Sequence, residues 1–314
     1  MKVMLEFWGE HRNFALSEIH GILLGEGHTY SIVDEDFPVS VLDMNDWTLL
    51  RRAGFLRYIS AHIASGDDLP TITANMDDYA VRARVYHGLK DVSPSEIERK
   101  VGNMIKGKVN LNSPKFTIRV GIANKYHIGV LMHDFSAEDF EARKPSNFPI
   151  SYPITMHPRY TRALINISRI KTGSHIIDPF CGTGSIALEA SLMGMKVTCS
   201  DIDPKMIHAA EINLQKFGAY ARFMVKDVGD VSGNYEAVVT DPPYGRSSSS
   251  MGENVHKLYE RAFKRFSEIT NKVSIVLPDR EAVKIGKEYF SLQEIHPVRV
   301  HKSLTRYYCL FAST

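Results

Sequence analysis

Val238-Val239-Thr240 is a short apolar strand that runs directly into Asp241-Pro242-Pro243-Tyr244-Gly245. Two consecutive prolines fix φ and donate no hydrogen bond, so carbonyl oxygens near them stay available as acceptors. A carboxylate and carbonyl acceptors beside an aromatic face suit a planar group that carries an NH2. Upstream, Asp178-Pro179-Phe180-Cys181-Gly182-Thr183-Gly184-Ser185 joins the apolar stretch His175–Ile177 to an apolar helix beginning near Ile186. Glycines in such a turn let a ligand approach the backbone. The stretch is neither a GxGxxG fingerprint nor a Gly-Lys-Ser/Thr phosphate loop. An acid at the strand end repels a phosphate and suits an ammonium group, such as that of an amino-acid moiety. A third piece, Ser200-Asp201-Ile202-Asp203-Pro204, follows the next apolar run. A carboxylate about 20 residues beyond the glycines is placed to grip a ribose diol. Asp203, before Pro204 and an amphipathic stretch, reads as a helix N-cap, which leaves Asp201 for the ribose. Asp227, after the following strand, is a candidate acceptor for an adenine amine or a plain loop acid.

The elements that must position these residues alternate. Strands are expected at 174–178, 196–200, 222–225, 236–240 and 272–277, with helices near 184–193, 204–217 and 253–268 and strand-like stretches near 289–295 and 305–312. This rhythm predicts an α/β fold with a mostly parallel sheet covered on both faces, whose ligand lies beyond the strand C-termini. Four prolines between 145 and 158 read as a stiff extended linker. The first half has shorter strands, near 2–8, 29–34, 39–42, 81–86, 115–122 and 126–131, and a helix over 14–24. Ser93-Pro94-Ser95-Glu96 reads as a capping box that opens a second helix with Ile97 and Val101 inward. This is an α+β pattern.

The chain has 314 residues with a net charge of +2, but the charge is segregated. Residues 1–80 carry net −8 and residues 81–130 carry net +7. A basic block of this kind is an electrostatic footprint for a polyanion. No apolar run reaches the ~20 residues of a membrane-spanning helix, and the N-terminus has no signal-peptide pattern, so a cytoplasmic protein is expected. Three cysteines without a CxxC pair indicate neither disulfides nor a zinc site, and none of the 13 histidines is spaced as a metal ligand. Arg51, Arg52 and Arg57 read as RNA contacts or as a solvated face.

The series Asp-Pro-Phe-Cys-Gly-Thr-Gly, Ser-Asp-Ile-Asp and Thr-Asp-Pro-Pro-Tyr-Gly resembles the S-adenosylmethionine-dependent amino-methyltransferases. With Met156–Ala163 and His301–Arg306 added, it resembles the archaeal tRNA (guanine-10-N2) methyltransferases. The resemblance implies a ferredoxin-like piece (1–60), a THUMP RNA-binding domain (61–142), a linker (143–160) and a Rossmann-like methyltransferase domain (161–314). It implies S-adenosylmethionine as cofactor. Asp178 would hold the methionine amine, with Pro179 and Phe180 in the same loop. Gly182 and Gly184 would make room, Asp201 would hold the ribose, Ile202 would pack on the adenine, and Asp227 or the backbone of Val228 would read its edge. Asp241 and the Pro242 carbonyl would bind the guanine amine, Pro243 would shape the turn and Tyr244 would stack on the base. RNA contacts are expected from Arg82, Arg84, Lys100, Lys106, Lys108, Lys115 and Arg119 in the basic block, and from Arg246 and Arg306. The resemblance further implies a tRNA partner, dimethylation, and in some relatives a small zinc-binding activator protein; a monomer is expected. Open alternatives are another tRNA guanosine such as position 6, a DNA adenine-N6 or protein-glutamine methyltransferase, a cytosine-C5 enzyme using Cys181, and an RNA-binding protein with a degenerate domain.

Overall fold

Strand β1 (Lys2–Phe7) is buried from Val3 onward, Glu6 included. In the computed structural model, which describes residues 1–86, 91–152, 156–244, 254–302 and 304–313, it lies inside a sheet. Its companions are β2 (Tyr30–Asp36), β3 (Val39–Met44), β4 (Leu56–Gly66), β6 (Tyr79–Val85), β8 (Phe116–Ile122) and β9 (Tyr126–Asp134), with β5 (Ala74–Asn75) and β7 (Ile105–Lys106) forming a short separate pair. The order is β2-β3-β1-β4-β9-β8-β6. Neighbours are antiparallel except β6 and β8. The divide expected at residue 60/61 falls inside β4, and strands from both sides of it share this one sheet.

Helix α1 (Arg12–Gly25) follows β1, and α2 (Pro94–Gly102) follows β6. Ile97 and Val101 of α2 pack with Tyr79, Ile118 and Val120 in one core. The expected capping box does not close. Ser93 makes no cap bond and pairs with the Ser95 hydroxyl instead, while Glu96 pairs with Lys100 one turn on.

The C-terminal unit holds α3 (Ala137–Ala142), α4 (Pro158–Ile167), β10 (His175–Asp178), α5 (Ser185–Leu192), β11 (Lys196–Asp201), α6 (Pro204–Lys216), β12 (Arg222–Val225), β13 (Ala237–Thr240), α7 (Val255–Ile269), β14 (Lys272–Leu277), α8 (Arg280–Lys287), β15 (Ser291–His301) and β16 (Leu304–Ala312). Its sheet runs β12-β11-β10-β13-β14-β16-β15. The first five strands are parallel, and β16 runs antiparallel to both its neighbours, β14 and β15. Chain order reverses between β10 and β13, so the crevice beyond the strand ends opens there. Asp203 caps α6 as expected, accepting from the Lys205 N–H.

The proline-rich stretch is not an extended tether over its described residues. Pro145–Asn147 form a 3-10 turn with Pro145 and Phe148 buried. The Ile150 backbone pairs in both directions with the Asn213 side chain. The apolar Phe148, whose ring centroid is 6.0 Å from that of Phe217, gives the segment something to bury. Pro153 lies outside the described residues.

Leu16–Gly27 and Arg52–Gly54 also belong to this C-terminal unit. Glu18 accepts from the Gly54 N–H and the Asn166 amide, and Arg52 binds Glu26, Asn166 and the Ile170 carbonyl. Arg52 is therefore neither an RNA contact nor a solvated residue. It is 7 % exposed, and burial pulls its pKa down to about 10 against the support of Glu26 and Glu18. Arg52→Met removes the buried cation paired with Glu26 and is expected to cost about 3–5 kcal/mol. A denaturant midpoint that does not move would show that this network carries little stability.

Candidate active site

Three carboxylates converge at the C-terminal ends of the central strands. Asp178 ends β10, Asp201 ends β11, and Asp241 follows β13. Asp178 is 1 % exposed. Its Oδ1 accepts from the Thr240 hydroxyl at 2.6 Å and from the Phe180 N–H at 3.2 Å. Burial pushes it up to about 7 in spite of these bonds, and the charges of Asp201 and Asp241 add to the rise. Burial also raises Asp201 and Asp241 above the usual carboxylate range. Such a concentration of buried negative charge fits a cationic ligand.

Asp201 stitches the glycine loop to the next strand. Its Oδ2 accepts from the Gly182 N–H at 2.9 Å and its Oδ1 from the Asp203 N–H at 3.0 Å. The two glycines differ. Gly182 has φ +47° with open space where a Cβ would sit, which suits close approach of a ligand. Gly184 has φ +86°, but a Cβ there would meet Leu214 at 2.8 Å. Its bareness serves the packing of α5 on α6, not room for a ligand. Ile202 is 45 % exposed, an apolar surface beside the carboxylate. Asp227 caps the short turn Val228–Asp230 and forms an ion pair with Arg261, and Val228 is buried. Burial of Asp227 is outweighed by Arg261 and the Gly229 N–H, so its pKa is lowered.

The Asp-Pro-Pro-Tyr turn closes on itself. The Tyr244 hydroxyl donates to Asp241 Oδ1, and the Tyr259 hydroxyl donates to the Pro243 carbonyl at 2.8 Å. Pro242 is buried, and its carbonyl accepts no hydrogen bond from another described residue. Arg306 lies over the Tyr244 ring, 5.8 Å from its centroid. At 8 % exposure it is built into the site, so it is not a surface RNA contact. Thr240, Tyr259 and Arg261 are site residues that the motifs alone did not reveal, and Arg306, expected as an RNA contact, joins them. For Arg306 a signal existed: alternation along Leu304–Tyr308 puts Arg306 and the buried Tyr308 on one face. Cys181 sits against Cys199, whose hydrogen bond, with burial, pushes its thiol well above the usual range. That makes it a poor nucleophile and removes the cytosine-C5 reading.

The basic block divides by burial. Arg119 is buried, forks onto Glu6 at 3.0 and 2.8 Å and stacks on Tyr58 at 3.9 Å, so it is structural. Arg82 donates to the Leu111 and Val81 carbonyls, and Arg84 lies over Tyr86. These three arginines line a cavity of about 410 Å³ with Tyr58, Thr117 and Asp134. Lys106, Lys108 and Lys115 are exposed, next to the exposed apolar Val109, Leu111 and Phe116. Lys100 is exposed and paired with Glu96. Gly245 and Arg246 lie outside the described residues. Among the described residues no cluster of His, Cys, Asp or Glu could hold a metal, and no helix is long and apolar enough to cross a membrane.

Residues 148–308 match the UPF0020 family, described as RMKL-like, methyltransferase domain. A tRNA (guanine(10)-N2)-dimethyltransferase of Methanothermobacter thermautotrophicus is 33 % identical over 98 % of both chains. One from Pyrococcus abyssi is 31 % identical over 91 % of this chain and 92 % of that one. Among solved structures, TrmN from Thermus thermophilus superposes over the full length of both chains with a TM-score of 0.54 at 18 % identity, a likeness of fold.

Proposed function

The chain belongs to the family of tRNA (guanine(10)-N2)-dimethyltransferases, and from that premise we propose that it methylates the exocyclic N2 amine of guanosine 10 in tRNA, first once and then twice, using S-adenosylmethionine. The observation that supports this most is the trio Asp178, Asp201 and Asp241 around the crevice, with Asp241 inside a turn of proline carbonyls and a tyrosine. The bound cofactor supplies a methyl group on a sulfonium, which is already a good leaving group. The protein's work is therefore alignment and proton handling. Asp178 holds the methionine ammonium. Asp201, fixed by the Gly182 and Asp203 N–H groups, takes the ribose hydroxyls, and Ile202 packs on the adenine. Asp227 keeps Oδ1 on Gly229 and Arg261, and it would accept from the adenine amine.

The guanine amine is a weak nucleophile because its lone pair is delocalised into the ring. Hydrogen bonds from its two N–H groups to Asp241 and to the Pro242 carbonyl favour a pyramidal nitrogen with its lone pair aimed at the methyl. As the N–C bond forms, Asp241 takes the proton that the amine loses. After one transfer a single N–H remains, which Asp241 alone can accept, so a second turnover uses the same geometry. A paired guanine must be turned out of its stem, at a cost of a few kcal/mol.

Contacts made by the N-terminal unit offset that cost. Lys106, Lys108 and Lys115 are its exposed cations beside apolar surface, and their joint change to alanine is expected to weaken tRNA binding about tenfold and lower the salt slope by about three. Filter binding across a potassium chloride series reads both; an unchanged slope excludes these lysines from the interface. The function itself is tested by incubating the protein with labelled S-adenosylmethionine and unmodified tRNA, then mapping the product nucleosides. N2-methylated guanosine at position 10 supports the proposal, and methylation elsewhere or not at all removes it.

A further inference from the structure

Arg306 is a buried cation that faces the catalytic turn. Its guanidinium lies over the Tyr244 ring, it is hydrogen-bonded to Tyr308, and it faces the charge of Asp241. Tyr308 is itself buried, and its ring centroid is 6.0 Å from that of Tyr160 on α4. The geometry points to Arg306 as a positioning residue of methyl transfer, which keeps Asp241 ionised and fixes the Tyr244 ring so that its other face receives the base. This rests on the reading of Asp241 as proton acceptor given above.

The reasoning is one of charge and planarity. Asp241 is set among groups that do not help it ionise: Asp178 on β10, Tyr259 on α7 and Tyr308 on β16. Burial and the neighbouring carboxylate favour the neutral acid. Arg306 on β16 opposes them, and the Tyr244 hydroxyl helps by donating to Oδ1. A protonated Asp241 could not take the amine proton. As the new N–C bond forms, the amine sheds a proton, and Asp241 takes it and is neutralised. Arg306 remains a cation throughout, so its attraction is strongest toward the ionised carboxylate that begins the step. A flat guanidinium also covers one face of Tyr244, which a lysine ammonium would do less well.

The test compares wild type, Arg306→Met and Arg306→Lys in single-turnover methylation of tRNA between pH 5.5 and 9, with tRNA affinity measured alongside. For Arg306→Met we expect a rate about a hundredfold lower near neutral pH. Its acid limb should move up by about one pH unit or more, recovering part of the rate at high pH, with tRNA affinity within about twofold. Arg306→Lys should retain the position of the acid limb and lose part of the rate. A loss confined to tRNA affinity, or a fall in rate with an unmoved acid limb, overturns the inference. If wild type forms no N2-methylguanosine, the functional proposal fails by itself. The Arg306 inference is then decided by the carbon-13 carboxyl titration of Asp241, assigned with Asp241→Asn: an equal midpoint in wild type and Arg306→Met overturns it.

Discussion

Asp241→Asn is expected to lower methyl transfer about a thousandfold while cofactor and tRNA binding change by less than about threefold. The carboxamide keeps the size of the side chain and an oxygen for the Tyr244 hydroxyl. It cannot take a proton at any pH in the working range, so the amine nitrogen keeps its charge as the N–C bond forms. The loss should therefore fall on the single-turnover rate at saturating substrates. A reduction of less than about tenfold would mean that the proton leaves by another route, since a positioned base contributes about 10²–10⁴-fold.

The second large effect is a pH dependence of cofactor binding set by Asp178. Burial pushes this carboxyl up to about 7. An ammonium placed against it favours the charged form and draws the pKa back down. Binding therefore expels a proton wherever Asp178 is protonated beforehand. The sign follows: affinity for S-adenosylmethionine rises with pH up to about 7 and weakens about tenfold per pH unit below it. Above that range the amine of the cofactor begins to lose its own proton, ordinarily near ~8 for an α-amino group. Calorimetry in two buffers of different ionisation enthalpy at pH 6 should show close to one proton released. Asp178→Asn should bind about a hundredfold more weakly at pH 8 and lose the dependence below 7. Wild-type affinity that is flat from pH 5.5 to 7.5 would place the ammonium elsewhere.

What could be read in the sequence was what is local in the chain. Asp178–Gly184, Ser200–Pro204 and Asp241–Tyr244 are contiguous, and each follows an apolar strand whose C-terminal end is fixed by the β–α alternation. Knowing the strands therefore places the acids. Arg306 was legible as a cation and by alternation shares a face with Tyr308, but its place beside Tyr244 was not, because the two meet only after β16 returns antiparallel to β14. A lone arginine near basic neighbours resembles any surface cation. Arg119 was misread for the same reason. Charge counting does not see that a residue 113 positions away, Glu6, is buried against it. Helix α8 escaped notice because its buried face is small, with Ala282, Val283 and Gly286 inward and charges elsewhere. The proline stretch looked like a tether because the prolines outweighed Phe148 in the reading, whereas Phe148 decides where the chain packs.

The assignment of Leu16–Gly27 and Arg52–Gly54 to the C-terminal unit has a consequence for synthesis on the ribosome. These segments emerge early, but the groups they bury against, Asn166, Ile170 and Thr172, emerge more than a hundred residues later. Until then Glu18, Glu26 and Arg52 stay hydrated beside one another, and the nascent chain holds two strips of a body not yet made. A gene fragment starting at residue 138 would encode the catalytic sheet without those strips, leaving Asn166 and Thr172 without the carboxylates that bind them. Expression of the catalytic half in isolation should therefore give poorly soluble protein, and supplying residues 1–137 in trans, which keeps the first sheet whole, is the natural rescue.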